Sequence, residues 1–331
     1  MNSDEIGRWQ QTIKSAQPES IPVVFIMGAT ATGKTDIAAL MSDRMPAELI
    51  SVDSSLVYRH MDIGTAKPDS EFLKKYPHHL LDIRNPDETY SAADFCQDAK
   101  QLVADIIARG NIPILVGGTS FYFSALEQGL PELPEKDALI RQLIEQEAKD
   151  KGWQAMHEKL QKLDPESAQR IHRNDPQRIQ RALEIIQLTG KPVADKKVSR
   201  PVINNSIIKV AIYHHHRQVL HKRIEKRFQI MMEQGLAKEI DDLLMDYAQD
   251  IPAFRMIGYR QYIQGLRNNE PLDSINEKSI IATRQLAKRQ LTWLRNQSGV
   301  LWQSVSKENL TQTSAFLAEY SQFWLRNYIR F

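Results

Sequence analysis

Short apolar runs alternate with helical patterns over the first 130 residues of the chain. Four runs read as buried strands because they end at a glycine or a polar residue: Ile21–Met27, Glu48–Val52, Leu80–Ile83 and Ile112–Val116. Lys34–Arg44 places its apolar residues at helical spacing, and Ser91 with Asp94 predicts a capped helix that runs to about Arg109. This alternation predicts a doubly wound parallel sheet.

The pattern changes at 130–134, where two prolines within four residues predict a boundary or hinge. Beyond it lie helical patterns at Asp137–Asp150, Trp153–Leu163 and Asp175–Thr189, with no convincing strand. Ile207–Ile212 is predicted to return to the sheet, and helices follow at Val219–Met232, Ala237–Tyr247 and Glu277–Arg295. We therefore expect a core of 1–134 and 195–331 with an all-helical insert domain at 135–194.

The first strand runs into a phosphate-binding motif, G-x4-G-K-[ST], which is followed by a helix. Its residues are Gly28, Ala29, Thr30, Ala31, Thr32, Gly33, Lys34 and Thr35. Several backbone N–H groups of such a loop face one anion, the lysine adds a point charge, and the threonine hydroxyl can bind Mg²⁺. The motif indicates a P-loop NTPase-like α/β fold. The motif does not determine the ligand, since ATP and a free or esterified diphosphate fit the same phosphate-binding loop.

Polar residues follow the second and fourth predicted strands. Asp53 could hold Mg²⁺ through water or act as a base, but it could also only cap the next segment. Gly117-Gly118-Thr119 could let a ligand approach the backbone closely, with Thr119 donating to a base or phosphate. A plain strand-to-helix turn is the alternative.

Basic residues cluster on three predicted helices. Arg178 and Arg181 share one face, Arg223 and Arg227 form an i, i+4 pair that could close over phosphates, and a C-terminal helix carries a basic stripe. That stripe consists of Arg284, Lys288 and Arg295. On charge alone, solvated helix faces are the favoured interpretation and contact with an anionic partner is the alternative, because the chain has a net charge of only +2.

The bulk composition narrows the class of protein. With 331 residues, 42% hydrophobic and 25% charged, the chain is typical of a globular protein with two domains. The single Cys96 excludes an intramolecular disulfide, which fits a reducing cytoplasm. We expect no signal peptide and no membrane span, and a monomer. His214, His215 and His216 are adjacent on a strand and cannot all point one way, so we expect no metal site there.

Taken in order, the motifs resemble the bacterial-type tRNA dimethylallyltransferases, also called tRNA isopentenyltransferases. The resemblance extends from about Val23 to Arg295. It rests on GATATGKT at 28–35, SVDSSLVYRHMDIGTAKP at 51–68, PDETYSAADF at 86–95, ILVGGTSFY at 114–122, LPELPEKD at 130–137, DPQRIQRALEI at 175–185, RMIGYRQ at 255–261 and TRQLAKRQLTWLR at 283–295.

The resemblance implies transfer of a dimethylallyl group from dimethylallyl diphosphate to N6 of adenosine 37, in tRNAs that read codons starting with U. It implies that Mg²⁺ is needed, that the P-loop holds diphosphate and not ATP, and that Asp53, Thr119 and Lys34 serve catalysis. The partner is the tRNA anticodon stem-loop. The tRNA-contacting segments of the family match Asp53, Ser54, Ser55, Leu56, Thr119, Arg141, Gln177, Arg178, Ile179, Gln180, Arg181, Arg255, Met256, Ile257, Gly258, Tyr259, Arg260, Lys288, Arg289, Gln290, Leu291, Thr292, Trp293, Leu294 and Arg295.

Two other functions fit the P-loop itself: a kinase of small molecules or nucleosides that uses ATP, and a nucleotide-dependent RNA-binding switch. The basic insert and the basic C-terminal helix argue against a small-metabolite kinase. Transfer of label from dimethylallyl diphosphate to tRNA separates all three.

Overall fold

The computed structural model describes residues 17, 20–131, 133–193, 200–306, 309 and 311–319. These residues form two compact units. The first holds the described residues up to Glu127 and from Val202 onward, and the second holds those of Gln128–Pro201. The second unit is somewhat wider at both ends than the insert predicted at 135–194.

A six-stranded parallel sheet forms the centre of the first unit, in the order β3-β2-β4-β1-β5-β6. The strands are β1 (Val23–Gly28), β2 (Ala47–Val52), β3 (His78–His79), β4 (Ile112–Gly117), β5 (Ile207–Tyr213) and β6 (Val300–Ser304). Every residue of β1 and β4 is buried, because helices cover both faces of a parallel sheet. The predicted α/β fold with a parallel sheet is confirmed, and Ile207–Ile212 does return to it.

The N-terminal helices of this unit are α1 (Lys34–Ser42), α2 (Ser70–Lys75), α3 (Ala92–Ala108) and α4 (Ser120–Gln128). The start of α3 is the predicted capping box, in which the Asp94 amide donates to Ser91 Oγ at 3.2 Å and the Ser91 amide donates to the Asp94 carboxylate at 2.7 Å. Gly110 then leaves the helix with a φ of +80°. Local sequence thus determines both ends of α3.

The second unit is helical among its described residues, as predicted. It contains α5 (Ala138–Leu163), α6 (Pro165–Arg170) and α7 (Pro176–Thr189). Gly152, with φ +83° and ψ 152°, interrupts α5 and separates the two helices predicted there. Asp175 caps α7 by accepting from the Arg178 amide at 3.1 Å, and Gly190 ends it at φ +65°. Ile144, Leu160 and other buried apolar residues form a core within this unit.

The C-terminal helices of the first unit are α8 (Arg217–Glu233), α9 (Leu236–Asp246), α10 (Tyr259–Arg267) and α11 (Leu272–Arg295). A 3₁₀ helix, Pro252–Arg255, lies between α9 and α10. Residues from α8, α9, the 3₁₀ helix and α10 bury a common apolar cluster that includes Phe228, Ile240 and Phe254.

One predicted strand is wrong, and one strand of the sheet was not predicted. Leu80–Ile83 is a turn, not a strand, because Leu80 and Asp82 take left-handed φ values of 64° and 54°. The strand at this edge is the two-residue β3 just before it. The strand that was not predicted is β6, which pairs with β5 beginning at Lys209 with Val300.

A buried carboxylate holds the helical unit together. Glu184 has no exposed side-chain surface, and it accepts from the Asp137 amide at 2.8 Å, from Arg181 at 2.8 Å and from Arg141 at 3.1 Å. Burial opposes its charged form, but these hydrogen bonds outweigh burial and lower the pKa of Glu184 below its usual value. Arg181 also donates to the Pro134 carbonyl at 2.6 Å.

We predict that Glu184→Ala lowers the free energy of unfolding of this unit by about 3 kcal/mol, because the change leaves two arginines and a backbone amide without their acceptor. Hydrogen exchange of peptides from α7 measures the effect. Glu147→Ala is the matched control, since Glu147 pairs with Lys151 and Lys159 on the surface of the same unit. It should cost at most about 1 kcal/mol. Equal protection of the α7 amides from hydrogen exchange in Glu184→Ala and Glu147→Ala would contradict the structural role of Glu184.

Candidate active site

A cavity of about 640 Å³ lies in the first unit, at the carboxyl ends of β1, β2 and β4. Parallel sheets place their sites at this edge because loops from neighbouring strands meet there. The described residues that line the cavity include parts of the P-loop, the carboxyl ends of β2 and β4 with the loops that follow them, residues from 64–68 and 255–259, and parts of α8 and α11. The strand ends singled out by sequence therefore meet in one place.

The P-loop has the backbone geometry of an anion cradle. Gly33 takes a φ of +89° and Ala31 one of +64°, and α1 begins directly after them at Lys34. The Thr32 hydroxyl donates to the Ala29 carbonyl at 2.9 Å and stabilises the turn. A Cβ on Gly28 would lie 2.9 Å from the Ile212 carbonyl oxygen, so only glycine fits at the end of β1. The loop thus directs the N-terminus of α1 into the cavity.

Positively charged side chains from the P-loop itself and from α8 lie close together at this site. Burial lowers the pKa of Lys34 to about 8, although the nearby Asp53 carboxylate raises it and Arg227 lowers it further. Burial also lowers the pKa of Arg227, which again has Asp53 as its favourable partner and Arg223 as a repelling neighbour. The site therefore holds poorly solvated positive charge, with the Asp53 carboxylate near Lys34 and Arg227 and the Asp36 carboxylate near Arg223, and this excess of cations favours an anionic ligand.

The arginines of α8 reach the P-loop, as sequence suggested they could. Arg223 Nε donates to the Ala31 carbonyl at 2.8 Å. Arg227 donates to the Thr30 hydroxyl and to the Thr65 carbonyl, both at 3.3 Å. These contacts place both guanidinium groups beside the cradle, where they can bind phosphate oxygens.

Asp53 and Thr119 lie on adjoining loops at the other side of the cradle. Asp53 Oδ1 accepts from the Ser55 amide at 2.9 Å and from the Ser55 hydroxyl at 2.5 Å. Thr119 Oγ1 accepts from the Ser54 amide at 3.0 Å. A Cβ on Gly117 would lie 2.0 Å from the Val52 carbonyl oxygen, so this glycine permits the close approach of the two loops.

Sequence reasoning missed the anchor of a fourth segment that lines the cavity. Glu239 on α9 accepts from the backbone amides of Asp62, Ile63 and Gly64 at 2.8, 2.7 and 3.0 Å, and from the Tyr259 hydroxyl at 2.7 Å. Lys67 closes the same loop by donating to the Tyr58 carbonyl at 2.9 Å. No local sequence pattern links residues 175 positions or more apart, so only the structure identifies this contact.

Several of the residues expected to contact tRNA are accessible. In the first unit Ser54, Arg255, Arg260, Lys288, Arg289, Thr292 and Arg295 are exposed, and Ser55, Leu56, Met256, Ile257, Gln290 and Trp293 line the cavity. In the helical unit Gln177 and Arg178 are exposed.

Other residues expected to contact tRNA are buried or hydrogen-bonded within the protein, and their contacts with tRNA stay predictions. Ile179, Tyr259 and Leu294 are buried because they pack in the cores of their own units, Gly258 is buried, and Leu291 packs against an apolar cluster with Ala29. Gln180 is only 8% exposed and donates to Glu145 at 3.0 Å. Arg141 and Arg181 are held by Glu184, which reduces the charge that they can offer to RNA.

The site offers few protein ligands for a metal. In the described part of the chain, His, Cys, Asp and Glu side chains form no cluster of three or more that could hold an ion by themselves. Among the three adjacent histidines of the sequence, His214 contacts the Val305 carbonyl oxygen through Nδ1 at 2.7 Å. Thr35 and Asp53 both line the cavity. A hydroxyl and a carboxylate fit Mg²⁺, which takes its remaining ligands from phosphate and water.

Comparison with known proteins identifies the family. The family model described as IPP transferase matches residues 56–297, well over half of the chain. The chain belongs to the IPP transferase family. It is 48% identical over 299 residues to the tRNA dimethylallyltransferase of Thiobacillus denitrificans, which covers 89% of this chain and 96% of that protein.

Solved structures of IPP transferase relatives share the fold. The full-length tRNA isopentenylpyrophosphate transferase from Bacillus halodurans superposes with a TM-score of 0.68 at 36% identity, covering 93% of this chain and 99% of that one. A eukaryotic dimethylallyltransferase acting on tRNA gives a TM-score of 0.77 at 25% identity, covering 93% of this chain and 80% of that one. Within the residues that the structure describes, every helix is too short or too polar to span a bilayer.

We predict that this IPP transferase family member takes up a proton when inorganic diphosphate binds near pH 8. The ligand-free pKa of Lys34 is about 8, and an anion beside the ammonium group favours its charged form, so the affinity falls as the pH rises through this value. Calorimetry in two buffers with different ionisation enthalpies measures the uptake. Lys34→Arg is the control, because arginine stays charged. Equal uptake in both proteins would rule out Lys34 as its source.

Proposed function

We propose that this chain transfers a dimethylallyl group from dimethylallyl diphosphate to N6 of adenosine 37 in tRNAs that read codons starting with U, releasing diphosphate. The observation that carries the proposal is the juxtaposition of a cationic P-loop and a carboxylate within one cavity. Membership of the IPP transferase family, and relatives that act on tRNA, support both the donor and the acceptor.

The donor side stabilises the leaving group. The reaction breaks the bond between C1 of the dimethylallyl group and a diphosphate oxygen, so negative charge grows on that oxygen. Lys34, Arg223 and Arg227 each donate to an oxygen of the P-loop, which places their positive charge where it stabilises the diphosphate oxygen. Thr35 would hold Mg²⁺, which supplies further neutralisation of the diphosphate when bound.

The acceptor side removes a proton. The N6 amine of adenine is a weak nucleophile because its lone pair is delocalised into the ring. As the C1–N6 bond forms, Asp53 accepts the N6 proton as a general base. Ser55 fixes one oxygen of this carboxylate, and Thr119 orients the adenine from the neighbouring loop.

The exposed basic residues provide an RNA-binding surface. An adenine reaches Asp53 only if it leaves the stack of the anticodon loop and enters the cavity. Lys288, Arg289 and Arg295 on α11, with Arg255 and Arg260, bind the phosphates of the anticodon stem-loop. On the helical unit, the exposed Gln177 and Arg178 form a separate candidate contact with tRNA. A monomeric state and a cytoplasmic location stay predictions.

We predict that Asp53→Asn lowers kcat by about 10²- to 10⁴-fold and changes tRNA affinity little, because it removes the proton acceptor and keeps the shape. The assay uses unmodified tRNA, Mg²⁺ and labelled dimethylallyl diphosphate, with gel shift for binding. Asp43→Asn is the control, since Asp43 accepts from Tyr76 outside the cavity. Equal losses of turnover and affinity would make Asp53 a binding residue. Consumption of ATP without label in tRNA would overturn the transferase function.

We predict that Arg178→Ala weakens tRNA binding and reduces the slope of log Kd against log salt by about one, because one phosphate contact is lost. Arg170→Ala is the matched control, since Arg170 is a similarly exposed arginine of the helical unit that lies outside the expected contacts. Equal slopes for wild type and Arg178→Ala would remove Arg178 from the interface.

A further inference from the structure

A single side chain on α11 joins the P-loop to the loop after β4. Gln290 Oε1 accepts from the Thr30 amide at 2.9 Å, and Gln290 Nε2 donates to the Gly118 carbonyl at 2.8 Å. The resemblance to known transferases placed Gln290 in a tRNA-contacting segment. In the structure its amide group is instead engaged by two loops of the cavity.

Gln290 bridges the two loops beyond the point where the backbone pairing of β1 with β4 ends. β1 and β4 pair in register as far as Met27 with Gly117, and beyond this pair the chain turns into two separate loops. A side-chain amide carries one acceptor and two donors, so it satisfies an N–H on one loop and a C=O on the other, as a neighbouring peptide group would. Gln290 therefore sets the separation of the loops where the sheet no longer does.

Gly118 lies so close to the Gln290 side-chain amide that no side chain fits at position 118 without a shift. A Cβ built on Gly118 would lie 2.6 Å from Gln290 Nε2 but 3.5 Å from the Gly28 carbonyl oxygen. The backbone of Gly118 is outside the left-handed region, so the glycine serves the close approach of the amide. Any larger residue at this position displaces Gln290 and opens the bridge.

The two joined loops carry the two halves of the proposed reaction. Thr30 belongs to the cradle for the leaving diphosphate, and its amide is directed to Gln290. Gly118 precedes Thr119, which binds the Ser54 amide next to Asp53. On the basis of the proposed function, we propose that Gln290 is a positioning residue that holds the donor cradle at a fixed distance from the acceptor-binding loop.

The position of Gln290 also links this distance to the RNA-binding surface. Lys288 is exposed on α11 outside the cavity lining, Arg289 is exposed at the cavity, and Gln290 lines the cavity. One helix thus presents charge to RNA on its outside and fixes the two loops on its inside. RNA that docks on α11 meets loops whose spacing this helix already determines.

The test compares Gln290→Met, which keeps the shape and removes both hydrogen bonds, with Gln285→Met, an exposed glutamine on the same helix. Gln290→Met should lower single-turnover transfer by about 10- to 100-fold, since a misplacement near 1 Å costs a factor of this order. The Kd values for tRNA and for dimethylallyl diphosphate should stay within about threefold of wild type. Gln285→Met should behave as wild type.

Gly118→Ala opens the same bridge from its other end and gives an independent variant. If both changes act through one contact, the double variant loses about as much rate as the worse single variant, whereas independent defects multiply. The inference fails if Gln290→Met transfers at the wild-type rate, if the loss lies wholly in tRNA affinity, or if the two losses multiply. Absence of transfer by wild type and by Gln285→Met would instead overturn the proposed function.

Discussion

Two poorly solvated cations that face one carboxylate impose the main constraint on this molecule. The unfolded chain keeps the proton of Lys34 up to a pH near 10.5, whereas the folded chain keeps it only to about 8. Charged Lys34 therefore disfavours the fold at neutral pH, and Arg227 has the same sign of effect. The surrounding loops must be held firmly enough to keep these charges in place, and an incoming diphosphate relieves their repulsion.

The loops that line the cavity are anchored by side chains that are far away in the sequence. Glu239 on α9 binds three consecutive amides of the segment before Thr65, and Gln290 on α11 binds one group on each of two loops. Both anchors come from the C-terminal helices, while the loops follow the strands of the N-terminal half. The cavity is therefore complete only when the sheet and these helices have packed together, which agrees with a family resemblance that spans nearly the whole chain.

Local patterns predicted the parts of the fold that local physics determines. The apolar runs of β1, β2 and β4, the capping box of α3 and the glycine P-loop each carry their signal within a few residues, and the structure confirms them. β3 was misplaced because a leucine and an aspartate take left-handed conformations that sequence does not reveal. β6 was missed because it is a short, half-exposed edge strand without strict alternation.

The site residues that follow the strands could be predicted from the sequence, whereas the side chains that anchor the loops of the site could not. Asp53, Thr119 and the P-loop could be found because each follows a strand, and parallel strands bring their carboxyl ends together. The anchors could not, because Thr30 and Gln290 are 260 positions apart and no local pattern joins them. The basic helix α7 shows the opposite error, since Arg181 counts as surface charge in the sequence but is held by a buried glutamate.

The lowered pKa of Lys34 has a consequence for any attempt to make this protein more robust. A search for thermostable variants scores the resting protein, and the resting protein gains from losing a poorly solvated cation. Such a search would favour neutral side chains at the P-loop lysine and at Arg227, and would select sturdier proteins that no longer hold the donor. Stability screens of this chain therefore need the anion present, so that selection acts on the liganded state.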